Sequence, residues 1–361
     1  MREFASKGLF DTERGQLVRL HVVRRKKILD EDLLQFGDII IFNIRHEAID
    51  GTSIPIFFAD VAEAYQRGEL VVDPDAISYL DYALYQSGLD RSPSVAYSKE
   101  YLDSKRLALS RMVTRIPSDR PWLVNPFKST HSIPINFRVD DKIVSTMIGC
   151  AGEMNVTVAS LCLACHFAFL VELTDEWVLE VVCTMANRPL EPEAAKILGP
   201  FLHYVLCSVI LEKEKNPTFI TLLQQTHTTM MMSFDRLPTE QNPLLMDLTE
   251  MLADNQPRSS FQFDEKLQDM VLDQNVRLHQ LLDPSDGTLA AAWWRLAVYS
   301  HFFSLVSYDP QTAELSYVFA FSSAAYERPT AVRMEKHQSL LSRFLWNFKG
   351  IPEKMHFGIL T

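Results

Sequence analysis

Positive charge is the first thing this chain is short of: across 361 residues, 35 Lys and Arg stand against 46 Asp and Glu, a formal charge of -11. Nucleic-acid affinity rests on clustered cations that neutralise phosphates, so the balance argues against that partner. The one basic cluster, Arg24, Arg25, Lys26 and Lys27, reads as a solvated hairpin or loop. Cysteine is also scarce. Five residues, an odd number and unevenly spread, do not make the framework of a disulfide-rich secreted domain. The first residues carry Arg2, Glu3 and Lys7 with no apolar signal core, and a reducing cytoplasm is the expected setting. Repeats and low-complexity tracts are missing. So is a clean hydrophobic run: the longest, Val156 to Leu173, contains Thr157, Ser160, His166 and Glu172, and lipid would leave their polar groups without partners. No membrane contact is expected, and a buried core helix is. Within it, Cys162-Leu163-Ala164-Cys165-His166 has the spacing of c-type haem attachment. Its cysteines lie in a segment apolar on nearly every helical face, the mark of a central helix rather than a haem site. No second ligand pair stands at a spacing that suits zinc.

What is present is enough apolar residue, 47% against 22% charged, for two ordinary domains with real cores. The run Ile39-Ile40-Ile41-Phe42 has strand length and composition, and Asp38 to His46 reads as a strand. Alternation places Ile40, Phe42, Ile44 and His46 on one face and Ile39, Ile41, Asn43 and Arg45 on the other, which aims Arg45 away from the surface bearing His46. Directly after it comes Arg45-His46-Glu47-Ala48-Ile49-Asp50-Gly51, where Gly51 allows a tight turn. Thr52 or Ser53 can then cap a helix carrying Ile54, Phe57, Phe58, Val61 and Tyr65 at helical spacing, with Pro55 in its first turn. A histidine held between strand and helix is a positioned base. Taken alone, such a histidine is more often a hydrogen-bonded structural residue, and such an arginine more often makes a surface pair.

The second half offers a strand at Ser132 to Val139, helices at Asp141 to Met154 and through the apolar run, and a strand at Glu176 to Thr184 ending in Met185-Ala186-Asn187-Arg188-Pro189. Leu198-Gly199-Pro200-Phe201 follows, and a last helix spans Thr330 to Phe348. Polar, proline-containing residues from about Ser118 to Ser132 predict a linker, dividing the chain into 1–128 and 129–361.

These segments, in this order, resemble the condensation domains of nonribosomal peptide synthetases. That family's signature is His-His-x-x-x-Asp-Gly, met here by His46, Asp50 and Gly51, with Arg45 in place of the first histidine. Gly8-Leu9-Phe10-Asp11 with Gly15 to Leu20, Tyr79 to Gln86, Ile116 to Pro121, Ala186 to Arg188, and Leu198 to Phe201 are similar to further family passages. So are Leu237 to Glu240, loosely, and Arg333, Met334, Leu340 and Leu341. His203 and Ser208 depart from it, standing where the family usually has asparagine and arginine.

The resemblance implies an α/β (α+β) fold of two chloramphenicol acetyltransferase-like lobes with a cleft between them. Family members begin further upstream, so it also implies that the first lobe, with the histidine motif, is incomplete. It implies peptide-bond formation between aminoacyl or peptidyl thioesters carried on the phosphopantetheine arms of carrier proteins, beside adenylation modules, with no bound cofactor. His46 would orient or deprotonate the acceptor amine or stabilise the tetrahedral intermediate. Asp50 would pair with Arg188, and Gly51 would shape the turn. The other expectation is a degenerate, noncatalytic fragment serving as a scaffold or carrier-docking module, favoured by Arg45, His203, Ser208 and the missing opening. A third is a free-standing acyltransferase acting on a diffusible alcohol or amine. The remaining nine histidines gain no support from the resemblance.

Overall fold

The computed structural model describes residues 10–24, 36–71, 73–88, 116–120, 132–186, 188, 194–215, 217–235, 259–274, 276–278 and 302–339. The chain gathers into two compact units. One comprises Met1–Tyr82, Arg188–Leu202 and Leu272–Asn275, and the other Ala83–Asn187, His203–Val271 and Val276–Thr361. The boundary expected near residue 128, like Leu237 to Glu240, Leu340 and Leu341, lies outside the described residues.

In the first unit β1 (Val18–Val23) and β2 (Ile39–Ile44) pair antiparallel, with Leu20 opposite Phe42. Phe42 meets Phe57 and Phe58 of α1 (Ile54–Arg67) edge-on, at centroid distances of 5.5 and 5.1 Å, so the helical spacing of those apolar residues has a sheet to pack on. Val18, Leu20 and Val22 share the face of Phe42 across the register yet remain exposed. The strand is shorter than its composition suggests. It stops at Ile44, and the backbone closes a turn through Ala48 N to Arg45 O, 3.0 Å. Strand alternation therefore does not extend to Arg45 and His46, and the orientation inferred from it is withdrawn.

The second unit contains, among the described residues, a six-stranded sheet in the order β3-β10-β9-β6-β4-β5. After α2 (Tyr79–Ser87), its elements are β3 (Ser132–Arg138), α3 (Asp141–Glu153), α4 (Val158–Thr174), β4 (Val178–Ala186), β5 (Leu202–Ile210), α5 (Phe219–Asp235) and β6 (Ser259–Glu265). The two-residue strands β7 (Met270–Val271) and β8 (Arg277–Leu278) follow, then β9 (Phe302–Asp309), β10 (Glu314–Ser322) and α6 (Arg328–Ser339). The β3–β10–β9 part is antiparallel, and β9, β6 and β4 run parallel. β9 and β10 are buried on both faces. Phe302, Phe319 and Phe321 join the main core around α4, while Phe303, Leu305, Val318 and Ala320 form a second cluster. Strands covered on both sides read as continuous apolar runs with no alternation. Ser118 to Arg120, expected as the start of a linker, are instead anchored. Asp119 accepts the Glu327 N–H and the Thr330 hydroxyl, each at 2.7 Å, at the start of α6.

α4 begins at Thr157, whose hydroxyl accepts the Ser160 N–H, and Leu161 to Val171 are buried without interruption. Among the described residues no single helix is long and apolar enough to cross a membrane; α3 and α4 reach that length only as a pair bent by 111°, with α4 enclosed by protein. The Cys-x-x-Cys-His run is part of this core. Burial pushes the Cys162 thiol up to about 12. His166 is sealed, its Nε2 3.2 Å from the Ser259 hydroxyl and its Nδ1 3.1 Å from that of Ser304, with its ring stacked on Phe302. Burial lowers its pKa from 6.5 to about 3. A ring whose folded value lies below its unfolded one adds stability that is complete above about pH 6.5 and is lost as the pH falls toward about 3. Between pH 7 and pH 5 this histidine should cost the fold about 2 kcal/mol. Urea titrations at the two pH values should show that loss in the parent and lack it in His166→Gln; equal losses in both would contradict the assignment.

Candidate functional site

His46 sits exposed in the turn between β2 and a short helical turn at Gly51–Ser53. Its two neighbours are tied to each other. Arg45 donates through Nε and Nη2 to the Glu47 carboxylate at 2.7 and 2.5 Å, a hydrogen-bonded pair that holds this carboxyl below the usual carboxylate range. The guanidinium that replaces a histidine is thus engaged within its own turn, and Asp50 is left to other partners.

At Ile49 and Asp50 the chain turns inward. Asp50, fully buried, caps the helical turn: its Oδ1 accepts the Ser53 N–H at 2.9 Å and the Thr52 hydroxyl at 2.8 Å. Its Oδ2 accepts the Phe201 N–H at 2.7 Å. Of the expected caps of α1, Ser53 takes the N-cap position but makes no side-chain cap bond, and the side-chain cap here is that of Asp50 on the short turn Gly51–Ser53 preceding the helix. The carboxylate carries a full charge and two acceptor atoms, and the Ser53 hydroxyl has a partner elsewhere. Ser53 Oγ donates to Gly199 O at 2.7 Å and accepts the Gly199 N–H at 3.1 Å.

Arg188 approaches the same cluster. It donates to Ser53 Oγ at 2.7 Å, to Thr52 Oγ1 at 3.3 Å, and to the carbonyls of Ala194 and Ile197. Its guanidinium lies over the Phe201 ring, 4.2 Å from the centroid. The shortest separation from Asp50 is 3.8 Å, too long for a hydrogen bond, so the two charges are coupled chiefly through the hydroxyls of Thr52 and Ser53. Burial lowers the pKa of Arg188 from the ordinary guanidinium value, and Asp50 works against that shift. Tyr79 and Tyr82 complete the packing on Phe201, with Tyr79 Oη donating to Pro200 O at 3.0 Å.

Two glycines contrast. The backbone at Gly51 is not left-handed, and an added Cβ there would meet nothing within 4 Å, so the turn does not use the conformational freedom expected of it. At Gly199 an added Cβ would fall on the Tyr79 ring, 2.9 Å from the tyrosine Cβ. Gly199→Ala should cost about 1–3 kcal/mol through this overlap. Gly51→Ala should leave the denaturation midpoint unchanged or slightly raised. A Gly199→Ala midpoint equal to the parent's would refute the close approach.

The structure thus brings Asp50 and Arg188 together below the turn that displays His46. In the sequence Ser53 stands out only as a possible cap, and Phe201 and Tyr79 carry no site role, because a hydroxyl whose partner lies 146 positions away leaves no local trace. Among the described residues no group of three or more His, Cys, Asp or Glu is placed to hold a metal ion. His227 bonds Ser160 Oγ through Nδ1 at 3.0 Å, linking α4 and α5.

The chain matches the family model described as "Condensation domain" over residues 2–347. It is 25% identical over 343 residues to a plipastatin synthase protein of Bacillus subtilis (strain 168), an alignment that covers 91% of this chain and 8% of that one. Less than a tenth of that protein's length is spanned. Among solved structures it is similar to the X-domain in complex with OxyB from teicoplanin biosynthesis, with a TM-score of 0.67 and 16% identity, covering 100% of this chain and 76% of that one. A four-domain nonribosomal peptide synthetase, holo-AB3403 bound to AMP and glycine, gives a TM-score of 0.64 and 18% identity over 92% of this chain and 25% of that one. At such identities the likeness establishes the fold.

Proposed function

Because the chain belongs to the condensation-domain family, with its mixed α/β, chloramphenicol acetyltransferase-like fold, we propose that it joins two carrier-tethered aminoacyl or peptidyl thioesters through an amide bond. The acceptor amine attacks the donor carbonyl, the new C–N bond forms, the C–S bond breaks, and the donor's carrier thiol leaves with the proton given up by nitrogen. His46 is a group in reach of solvent, on the anchored turn, that can accept that proton, or hydrogen-bond the amine or the carbonyl oxygen as its charge develops. Asp50 and Arg188 hold the turn, and Gly51 keeps its outer side clear of a side chain.

The observation that carries this reading is the contrast within one short segment: an exposed imidazole on a turn anchored by two buried side chains, Asp50 and Ser53, each hydrogen-bonded to backbone about 150 residues away. An exposed histidine with a solvated, unanchored base would have no such purpose. The partners are carrier proteins and adjoining adenylation modules. Substrates arrive on phosphopantetheine arms, and the protein itself needs no resident cofactor. The lobes are 1–128 and 129–361, and the setting is the cytoplasm.

The test is direct. The purified chain is mixed with one carrier loaded with a donor aminoacyl thioester and another loaded with an acceptor, and the acceptor carrier is followed by mass spectrometry. A dipeptidyl adduct is expected. Carrier binding without any adduct would replace this reading with that of a docking module.

A further inference from the structure

We infer that Ser53 is a positioning residue for His46, and that its hydroxyl, more than the ion pair, aligns the histidine turn with the Gly199–Phe201 segment; this rests on the condensation reading above. Three observations carry it. First, Ser53 is fully buried and its side chain has left the local role its place before α1 offers, since it makes no cap bond to the helix it precedes. Second, its single hydroxyl meets three partners: it donates to Gly199 O at 2.7 Å and accepts from Gly199 N at 3.1 Å and from Arg188 Nη2 at 2.7 Å. Clasping both polar atoms of one residue fixes the direction as well as the distance of that backbone. Third, the direct ionic contact is long, 3.8 Å, whereas among the described residues the short bonds between the 50–53 turn and residues 188–201 end on Ser53 or on Asp50 Oδ2. Asp50 and Ser53 are thereby drawn against a backbone that cannot yield, because Gly199 itself lies against the Tyr79 ring. The turn above, with His46 only seven residues from Ser53, inherits its orientation from that clasp.

Removing the hydroxyl should therefore disturb where the imidazole stands without touching substrate. In the full chain, Ser53→Ala should lower kcat about 10²-fold, the size of effect that misplacing a reacting group by an ångström produces, with KM for the carrier-bound acceptor within about twofold. Ser53→Thr, which retains Oγ, should recover most of it. Thr226→Ala, which deletes a buried hydroxyl bonded within α5 and remote from the turn, serves as a control for the loss of a buried hydroxyl and should keep the parental kcat. A second readout does not need turnover. Long-range proton–nitrogen spectra, with the His46 ring assigned through His46→Gln, should show that ring's signals moved or broadened in Ser53→Ala and unmoved in Thr226→Ala. Should Ser53→Ala fail to fold, Ser53→Cys carries both comparisons. Folded Ser53→Ala with parental kcat, a loss expressed in KM, or unmoved ring signals would each overturn the inference. A parent chain that forms no amide would instead end the condensation reading, and the ring spectra would still decide the role of Ser53.

Discussion

Replacing His46 by alanine is expected to reduce amide formation by about 10²–10⁴-fold, the usual worth of a positioned general acid or base. In free energy that is roughly 3–5 kcal/mol of transition-state stabilisation. The residue is exposed in its turn, so the same substitution should change folding stability by no more than about 0.5 kcal/mol, and the two effects separate cleanly. The loss should fall on kcat and on kcat/KM alike, since nothing in the turn implies that His46 contributes uniform binding of the carrier arm. His46→Gln, which restores a hydrogen-bonding group but no titratable nitrogen, distinguishes the roles: partial activity favours hydrogen bonding to the carbonyl oxygen or amine, and none favours proton acceptance. Parental turnover in His46→Ala would remove the histidine from the mechanism.

The second large effect belongs to Asp50. Its carboxylate serves three donors with two oxygens, Ser53 N and Thr52 Oγ1 on one and Phe201 N on the other, and a buried guanidinium stands 3.8 Å away. Asp50→Ala leaves the buried Phe201 N–H unpaired, the Ser53 N–H with only its 3.2 Å bond to the carbonyl of residue 50, and the Arg188 charge without its counter-ion. Breaking a buried pair from one side costs about 3–5 kcal/mol. Asp50→Asn should lose less, because its one oxygen can still serve one side while its amide nitrogen faces a donor on the other. Adding Arg188→Ala to Asp50→Ala should cost less than the sum of the two, as expected of residues in one network. Equilibrium urea denaturation measures all of these variants against the parent. A loss under about 1 kcal/mol for Asp50→Ala would show that the network is not formed in solution.

How much of this was legible beforehand differs from element to element. The helix Ile54–Arg67 was readable from the spacing of Phe57, Phe58, Val61 and Tyr65 because one strand face, centred on Phe42, imposes one apolar stripe. The buried helix Val158–Thr174 was readable for the opposite reason, being apolar all round. Strands β9 and β10 gave no comparable signal. Covered on both faces, Phe302 to Val306 and Tyr317 to Phe321 carry no period from which pairing partners could be named. β2 ends two residues short of the expected His46 because the backbone closes a turn from Ala48 N to Arg45 O, which period-2 reasoning does not see.

At the site the division is sharper. Local chemistry by itself determined that His46, Asp50 and Gly51 form one short unit between a strand and a helix, since a β-rich run, a turn and a helical stripe each announce themselves within a few residues. Only the tertiary structure decided what that unit rests on. Asp50 supplied the side-chain cap of the turn before the helix, Ser53 turned its hydroxyl from its N-cap position to Gly199, and Arg188 settled on Phe201 and the hydroxyls. Each is a competition between a local partner and one more distant in the chain, and its outcome depends on which groups the fold buries together, because a hydrogen bond is worth most where water can no longer replace it.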